Sequence, residues 1–422
     1  MAVNVDGITS GGSFVSVMKR LQPPKEMGRL WKQTYALLGT MSKADDFEGS
    51  QMDVALEYDH PARSRLFANA QSDRFPSSSI KYNLTRARDY STGRVDAETM
   101  AASRSDMGAW LKALQRATSN THLALRKNTA ISLYRNHGGA RGKMGSVIDV
   151  EGTNDVLVLD NKSDVYNFSR GMACVAGTTD GTSGSVLAGT FYIAKINFTL
   201  GYLHIAAAQT ALGTPGNYAS IVTGESETEY LFADGDFGVS FRGLESWIPL
   251  TAPSAGESYL GIDRSVEPER LAGHRIDDTS KSREELVQEL AARITYTGGF
   301  NLTCYMAPIQ VKQFALEMDT KVIRDPGGTG KAGFRGISID TVAGTVEVLG
   351  DPACPENRMY MLDMGSWKFH HLEALPHLVE DDGLQRIRVS DADQVEFRYR
   401  LWGNLACTSP GKNGVASLPT AF

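Results

Sequence analysis

Residues that bind metals in other proteins are grouped between positions 370 and 377. His370 and His371 are adjacent, and Glu373 and His377 follow them. Their spacing does not match the His-Glu-x-x-His pattern, which places two histidines on one face of a helix. Pro376 would disturb a helix that carried these ligands, and adjacent histidines on a strand point to opposite faces. We therefore predict a structural role for this group and no metal site.

A glycine-rich segment, residues 325–332, resembles a phosphate-binding loop and reads Asp-Pro-Gly-Gly-Thr-Gly-Lys-Ala. A Walker loop needs glycine at its first position, and serine or threonine after the lysine to hold magnesium. Asp325 and Ala332 occupy those two positions. We therefore predict a flexible turn between a helix and a strand, and no nucleotide cofactor.

Residues 256–260, Gly-Glu-Ser-Tyr-Leu, resemble the nucleophile elbow of hydrolases but lack its second glycine. A glycosidase needs two carboxylates at a defined separation, which a linear sequence does not give. Acidic side chains are frequent enough nearby to form a pair by chance: Glu245, Asp263, Glu267 and Glu269. We predict no catalytic residue, and a protein that is not an enzyme.

Composition describes an ordinary globular chain. Hydrophobic residues make up 41% and charged residues 22% of 422 positions, enough for a large core. The net charge of −6 disfavours tight sequence-specific DNA binding. The four cysteines are far apart and form no Cys-x-x-Cys pair, which indicates a reducing cytoplasm and no disulfide scaffold. The sequence shows no signal peptide and no apolar run of about 20 residues, so we expect no membrane partner.

The order of sequence patterns divides the chain into segments. We predict an N-terminal arm (1–45), a long hairpin (46–100), a long helix with its flanks (101–144), an all-β insert (145–240), a mixed domain (241–380) and closing strands with a C-terminal tail (381–422).

Local signals support these segments. The hairpin is predicted to have strands at 52–58 and 79–90, and the helix spans 105–137 with a broken apolar stripe that ends before Gly138-Gly139. The expected strands of the insert are 147–150, 156–159, 172–176, 190–198 and 201–206.

In the mixed domain, a capping box at Ser282 and Glu285 begins a helix. A second helix is predicted at 308–318, followed by strands at 336–339, 345–349 and 359–363. Residues 384–408 are expected to form two or three closing strands.

The hairpin is rich in arginine, which has two interpretations. The side chains form either a solvated polar face or charge pairs with a neighbouring subunit. The candidate contact residues are Arg63, Arg65, Arg74, Arg86 and Arg88, with the acidic group Glu380, Asp381 and Asp382 as partner.

Two segments, which we call the signature segments, resemble those of a known family. Residues 243–273 begin Gly-Leu-Glu-Ser-Trp-Ile-Pro-Leu and end with Gly-Ile-Asp-Arg-Ser-Val-Glu-Pro-Glu-Arg-Leu-Ala-Gly. Residues 399–415 read Tyr-Arg-Leu-Trp-Gly-Asn-Leu-Ala-Cys-Thr-Ser-Pro-Gly-Lys-Asn-Gly-Val. Both are similar to segments of the major capsid proteins of tailed bacteriophages, the family with the HK97-type fold. The resemblance implies an α+β chain with an N-arm, an E-loop hairpin, a spine helix on a P-domain sheet, and an A-domain, here with a small all-β insert.

The resemblance also implies a function. Copies of the chain would form the hexamers and pentamers of an icosahedral head around double-stranded DNA. Expected partners are the chain itself, a separate scaffolding protein, a portal and a decoration protein; the expected location is the virion capsid, after assembly in the bacterial cytoplasm. Two alternatives remain: an encapsulin-like compartment shell, and a phage tail-associated carbohydrate-active enzyme.

Three structural expectations follow. The hairpin should pack on an adjacent subunit, because a free two-stranded hairpin is marginally stable. The helix should pack Trp110, Leu114 and Leu125 on the sheet formed partly by residues 384–408, and direct Arg126 and Lys127 away from it. The shell should be noncovalent. Some relatives join an E-loop lysine to an asparagine of a neighbouring P-domain, but Lys81, the one lysine of residues 46–100, lies on a predicted strand and not at the hairpin tip. Asn404 and Asn413 are the candidate partners, and nothing in the sequence identifies the buried acid that the reaction needs.

Overall fold

The computed structural model describes residues 35–57, 65–68, 79–96, 107–148, 156–226, 228–318, 337–373, 375–380, 387–388 and 393–420, without the side chains of residues 57, 79, 107–117 and 388. The predicted α+β class is confirmed. The first described elements are α1 (Ala36–Thr40), β1 (Ser42–Ala44), β2 (Gln51–Glu57), β3 (Ser79–Thr85), β4 (Ala87–Asp96) and α2 (Met107–Tyr134).

Strands β2 and β3 pair antiparallel from Gln51 opposite Thr85 to Glu57 opposite Ser79. Their alternating residues Val54, Leu56, Tyr82 and Leu84 are at most 4% exposed and belong to the main core. The expectation that the hairpin packs on an adjacent subunit is therefore wrong for its described strands. Their apolar face packs instead on parts of the same chain that are distant in sequence.

Helix α2 has 28 residues and ends at Tyr134, three residues before the predicted end. Its described side chains pack on the long hairpin strand β4, and the Ser91 hydroxyl donates to the Thr121 carbonyl at 3.1 Å. At Gly93 of β4 an added Cβ would lie 2.2 Å from the Phe397 ring and 2.4 Å from the Thr121 hydroxyl, so a larger residue would displace both side chains. Among the described helices none is long and apolar enough to cross a bilayer.

The predicted faces of α2 are partly wrong. Leu125 is buried as expected, and Trp110 and Leu114 lie outside the described side chains. Arg126, however, is only 6% exposed and lies 5.6 Å from the ring centre of Tyr35. Lys127 donates to the Phe168 carbonyl at 3.3 Å. Both cations therefore contact other parts of their own chain. The Tyr35 ring and the Phe168 carbonyl, which come from other elements, cover that side of the helix.

The residues predicted as an all-β insert form a closed six-stranded barrel in the order β10-β5-β6-β9-β8-β7. A closed barrel has no unpaired edge, and its interior is filled by side chains such as Leu157, Phe191 and Leu231. The sequence analysis missed β10. The elements are β5 (Gly142–Ile148), β6 (Val156–Leu159), β7 (Ala173–Gly177), β8 (Val186–Asn197), β9 (Tyr202–Ala206), α3 (Tyr218–Ile221) and β10 (Tyr230–Ala233).

After the barrel the chain builds a second core and completes the first. The elements are α4 (Leu244–Trp247), β11 (Ser258–Tyr259), β12 (Ile262–Asp263), α5 (Pro268–Ala272), β13 (His274–Ile276), α6 (Arg283–Tyr296), β14 (Leu302–Met306), α7 (Pro308–Glu317), β15 (Ile337–Thr341), β16 (Gly344–Gly350), β17 (Arg358–Asp363), β18 (Trp367–His371), β19 (His377–Leu378), β20 (Ile387–Arg388), β21 (Gln394–Cys407) and β22 (Gly414–Ser417).

A six-stranded sheet with order β13-β22-β17-β14-β16-β15 packs against α6 and α7. The predicted capping box is confirmed: the Ser282 hydroxyl accepts from the Glu285 N–H, and the Glu285 carboxylate accepts from the Ser282 N–H. Leu286, Leu290 and Ile294 of α6 are fully buried in this second core. Strand pairing crosses the predicted boundary at residue 380, because β22 joins this sheet from the C-terminal segment.

The sheet under α2 is built around β21, which pairs with β18, β19, β20 and β4. Residues 384–408 were predicted to form two or three closing strands, and the described part of this span holds two, β20 and the 14-residue β21. Its continuity comes from its partners, since β4 covers positions 394–403 and β18 covers 403–407. Strand β1 extends the same sheet by parallel pairing with β18.

Candidate assembly surface

The histidine group has structural partners within the chain, as predicted. His370 is 5% exposed and its Nδ1 lies 2.6 Å from the Asp46 carboxylate. The Nδ1 of His371 lies 2.8 Å from the Glu373 carbonyl oxygen. Arg400 binds the Glu373 carboxylate with two hydrogen bonds of 2.7 and 2.6 Å. Across the described ranges no group of three His, Cys, Asp or Glu side chains is arranged to hold a metal ion.

The hydrolase-like segment forms a β-turn. Ser258 and Tyr259 pair with Ile262 and Asp263, and Leu260 (φ 50°) and Gly261 (φ 89°) form the two-residue loop. This is a hairpin turn and not the strand-to-helix turn that a nucleophile elbow requires. The phosphate-loop segment, residues 325–332, lies outside the described residues.

Three of the four carboxylates near this segment contact a cation or a hydroxyl group, and the fourth, Glu269, is exposed. Glu245 pairs with Arg358 at 3.0 Å, and Glu267 pairs with Arg270 at 3.5 Å. The hydroxyl of Ser265 donates to Asp263 at 2.6 Å. These contacts give Glu245, Glu267 and Asp263 a structural role within the chain.

The four cysteines are free and buried. Burial raises the pKa of Cys174 and Cys407 to about 12. A thiol with so high a pKa is protonated at neutral pH and is therefore a poor nucleophile.

The first signature segment anchors the hairpin to the core. The rings of Tyr82, Trp247 and Tyr259 pack edge to face, with centroids 5.1 to 6.2 Å apart. The Tyr82 hydroxyl donates to the Leu271 carbonyl at 3.3 Å. The indole N–H of Trp247 donates to the Leu405 carbonyl at 3.0 Å, which joins this segment to the second one.

The second signature segment contributes two buried asparagines. Asn404 is 2% exposed; its carbonyl accepts from the Arg242 N–H at 2.8 Å and its amide donates to the Thr85 carbonyl at 2.8 Å. Asn413 is fully buried and accepts from the indole of Trp367 at 2.8 Å. Side chains of both signature segments therefore hydrogen-bond to other elements and hold them together. This structural role accounts for the buried tryptophan and asparagines of the two segments.

The predicted contact arginines lie in different environments. Arg63, Arg74, Asp381 and Asp382 are outside the described residues. Arg65 is exposed. Arg86 donates to the Gly49 carbonyl at 3.1 Å and lies 5.4 Å from the ring centre of Trp402, so it is used within its own chain.

Arg88 and Glu380 lie on opposite sides of β21. Arg88 is exposed and pairs in register with Trp402 on one side, whereas Glu380 follows Val379, whose N–H donates to the Arg398 carbonyl on the other. The two positions on β21 are about 13 Å apart along the strand. The structure does not bring these two predicted partners together within one chain.

Large exposed apolar side chains were missed by the sequence analysis. Leu66 and Phe67, in the hairpin tip predicted to be polar, are 65% and 81% exposed. Tyr296, the last residue of α6, and Phe300, which follows the helix, are 92% and 54% exposed. The sequence did contain a signal for an exposed apolar contact at the tip. Leu66 and Phe67 are adjacent in an otherwise polar and basic stretch, and a solvated hairpin tip does not need an apolar pair.

Comparisons with solved structures give matches to assembled particles. The chain is similar to a protein of the cyanophage A-1(L) capsid asymmetric unit, with 10% identity, 92% of this chain and 93% of that chain covered, and a TM-score of 0.49. It is also similar to chains of the satellite phage P4 procapsid (8% identity, 99% and 98% covered, TM-score 0.42) and of a virus-like particle from Pyrococcus furiosus (8%, 94% and 98%, 0.40). No family model and no curated protein matches the sequence. At these identities only the course of the backbone is compared.

Proposed function

We propose that this chain is the major capsid protein of a double-stranded DNA bacteriophage, with the HK97-type fold, and that it self-assembles into an icosahedral head. The observation that carries this proposal is the division of the hairpin into two parts. Its described strands are fixed in the core of their own chain, whereas Leu66 and Phe67 near its tip are largely exposed.

Exposed apolar side chains at a hairpin tip gain stability when a partner covers them. Burying a Leu or Phe side chain contributes about 1.5–3 kcal/mol, so this pair would contribute several kcal/mol to each contact. In a closed shell every subunit receives the same contact from a neighbour, so the gain is repeated around the particle.

The chemistry-bearing residues support a structural role. His370 is paired with Asp46, the four cysteines are buried, and the carboxylate of Glu245 is paired with Arg358. The net charge of −6 is consistent with a shell that encloses DNA without binding it tightly. The proposal includes hexamers and pentamers of this chain, a scaffolding protein, a portal and a decoration protein as partners, and assembly in the bacterial cytoplasm.

The test is assembly of the double variant Leu66→Ser and Phe67→Ser. We expect the variant to remain folded by circular dichroism but to lose large particles in sedimentation velocity. The matched control is Val342→Ser, which alters an apolar side chain that is 73% exposed on the turn between β15 and β16. Normal particles from the double variant would refute the assignment of the hairpin tip as an assembly contact.

A further inference from the structure

A groove of about 700 Å³ lies where helix α2 meets the barrel. It is lined by Lys127 of α2, by residues 168–170 directly after the 3-10 turn Lys162–Asn167, and by side chains in and after β8. Its volume is in the range of sites that hold a small molecule or several side chains of a peptide.

The groove has cations on its walls and no acidic side chain in its lining. Lys127, Arg170 and Lys195 line it, and within the described part of the chain none of the three forms a salt bridge. Arg170 is held in place because its Nε donates to the Ala194 carbonyl at 3.0 Å. Burial lowers the pKa of Lys127, and the charge of Arg141 lowers it further. Both effects destabilise the charged ammonium group, so an anion bound beside Lys127 would stabilise it.

The rest of the lining is mostly apolar. It contains Phe168, Ile196, Leu212 and Phe198, and Phe198 is 47% exposed. The Phe198 ring stacks on Tyr166, which is 50% exposed, with ring centroids 4.9 Å apart. This stack forms a preformed aromatic platform beside the charged walls.

We propose that this groove binds an acidic peptide segment with large apolar side chains, contributed by a different protein. Carboxylates of the segment would pair with Arg170 and Lys195, and an apolar side chain would rest on Phe198. This goes beyond the proposed function, since binding can be measured whether or not the chain assembles.

The mixture of groups favours a peptide over nucleic acid. A DNA backbone is bound by an extended basic surface, and this chain has a net charge of −6. Three cations around an apolar floor match the alternation of acidic and apolar side chains in a peptide better than a row of phosphates.

The test uses the full chain and a short fluorescein-labelled peptide in which aspartate alternates with leucine and phenylalanine. We expect binding by fluorescence anisotropy that weakens with salt. Lys195→Glu, at an exposed position, should weaken the affinity by about tenfold, and Phe198→Ser should weaken it similarly without changing charge. Lys162→Glu, an exposed cation of the barrel outside the groove, should leave it unchanged.

Several results would overturn the proposal. They are absence of binding, equal affinity for a peptide with lysine in place of aspartate, preference for a duplex oligonucleotide, and loss of binding with Lys162→Glu as large as that with Lys195→Glu. If the unlabelled peptide dissociates oligomers of this chain in sedimentation velocity and Lys195→Glu also abolishes those oligomers, the occupant is a second copy and the assignment to a different protein is wrong. Thermal unfolding of each variant shows that the comparison is between folded proteins.

Discussion

Asp89 should make the stability of this protein depend on pH in an unusual direction. It lies on β4, and its carboxyl group is enclosed beside Asn128 of α2, near Arg141 at the start of the barrel and Asp236 after it. Burial, together with the charge of Asp236, raises the pKa of Asp89, whereas the charge of Arg141 lowers it; the net result is a pKa of about 7. Arg141 is shared, since its Nη2 also binds the Asp236 carboxylate at 3.1 Å.

The sign follows from proton uptake. Between about pH 4 and pH 7 the folded chain keeps a proton on Asp89 that the unfolded chain has lost. Stability therefore falls as pH rises through this window and stays low above it. An increase of the pKa from 3.8 to about 7 corresponds to at most about 4 kcal/mol of unfolding free energy.

The variant Asp89→Asn keeps a neutral side chain at every pH. We expect it to match the wild type near pH 4 and to exceed it at pH 8 by a few kcal/mol. Urea denaturation of the unassembled chain at the two pH values measures this difference. The other titratable groups are the same in both proteins, so their contributions to the unfolding free energy cancel in the comparison. Asp53→Asn, at an exposed position on β2, should show no such pH-dependent gain. A variant that is no more stable than the wild type at pH 8 would refute the reasoning.

Other predictions concern the core and the contacts between subunits. Trp247→Ala should lower the unfolding free energy by about 3–5 kcal/mol, measured by denaturant titration, because the side chain is fully buried. Replacing Arg63, Arg65 and Arg74 together by alanine should impair assembly in sedimentation experiments while circular dichroism stays unchanged. Particles boiled in detergent should run as single chains on a gel, because the side-chain amides of Asn404 and Asn413 are buried and hydrogen-bonded. A ladder of bands at multiples of the chain mass that disappears with Lys81→Arg would show that cross-links exist.

Elements fixed by local signals were predictable from the sequence. The Ser282 and Glu285 capping box and the apolar spacing of Leu286 and Leu290 specify α6 within one short segment. The absence of metal-binding and hydrolase chemistry in the histidine and hydrolase-like groups stays a prediction, which rests on a residue that each motif lacks.

Features that depend on distant partners were not predictable. The burial of Arg126 depends on Tyr35, more than 90 positions away in the chain. Strand β21 is continuous because different strands pair with its two halves. The groove beside Phe198 depends on packing of α2 against the barrel, which no local pattern in either segment indicates.

Electron microscopy of the purified protein tests the central claim most directly. The proposed function predicts closed particles of uniform size, built from hexamers and pentamers of this one chain. Small soluble oligomers under conditions where the chain is folded, together with carbohydrate hydrolysis abolished by a single substitution, would contradict it and identify the chain as an enzyme.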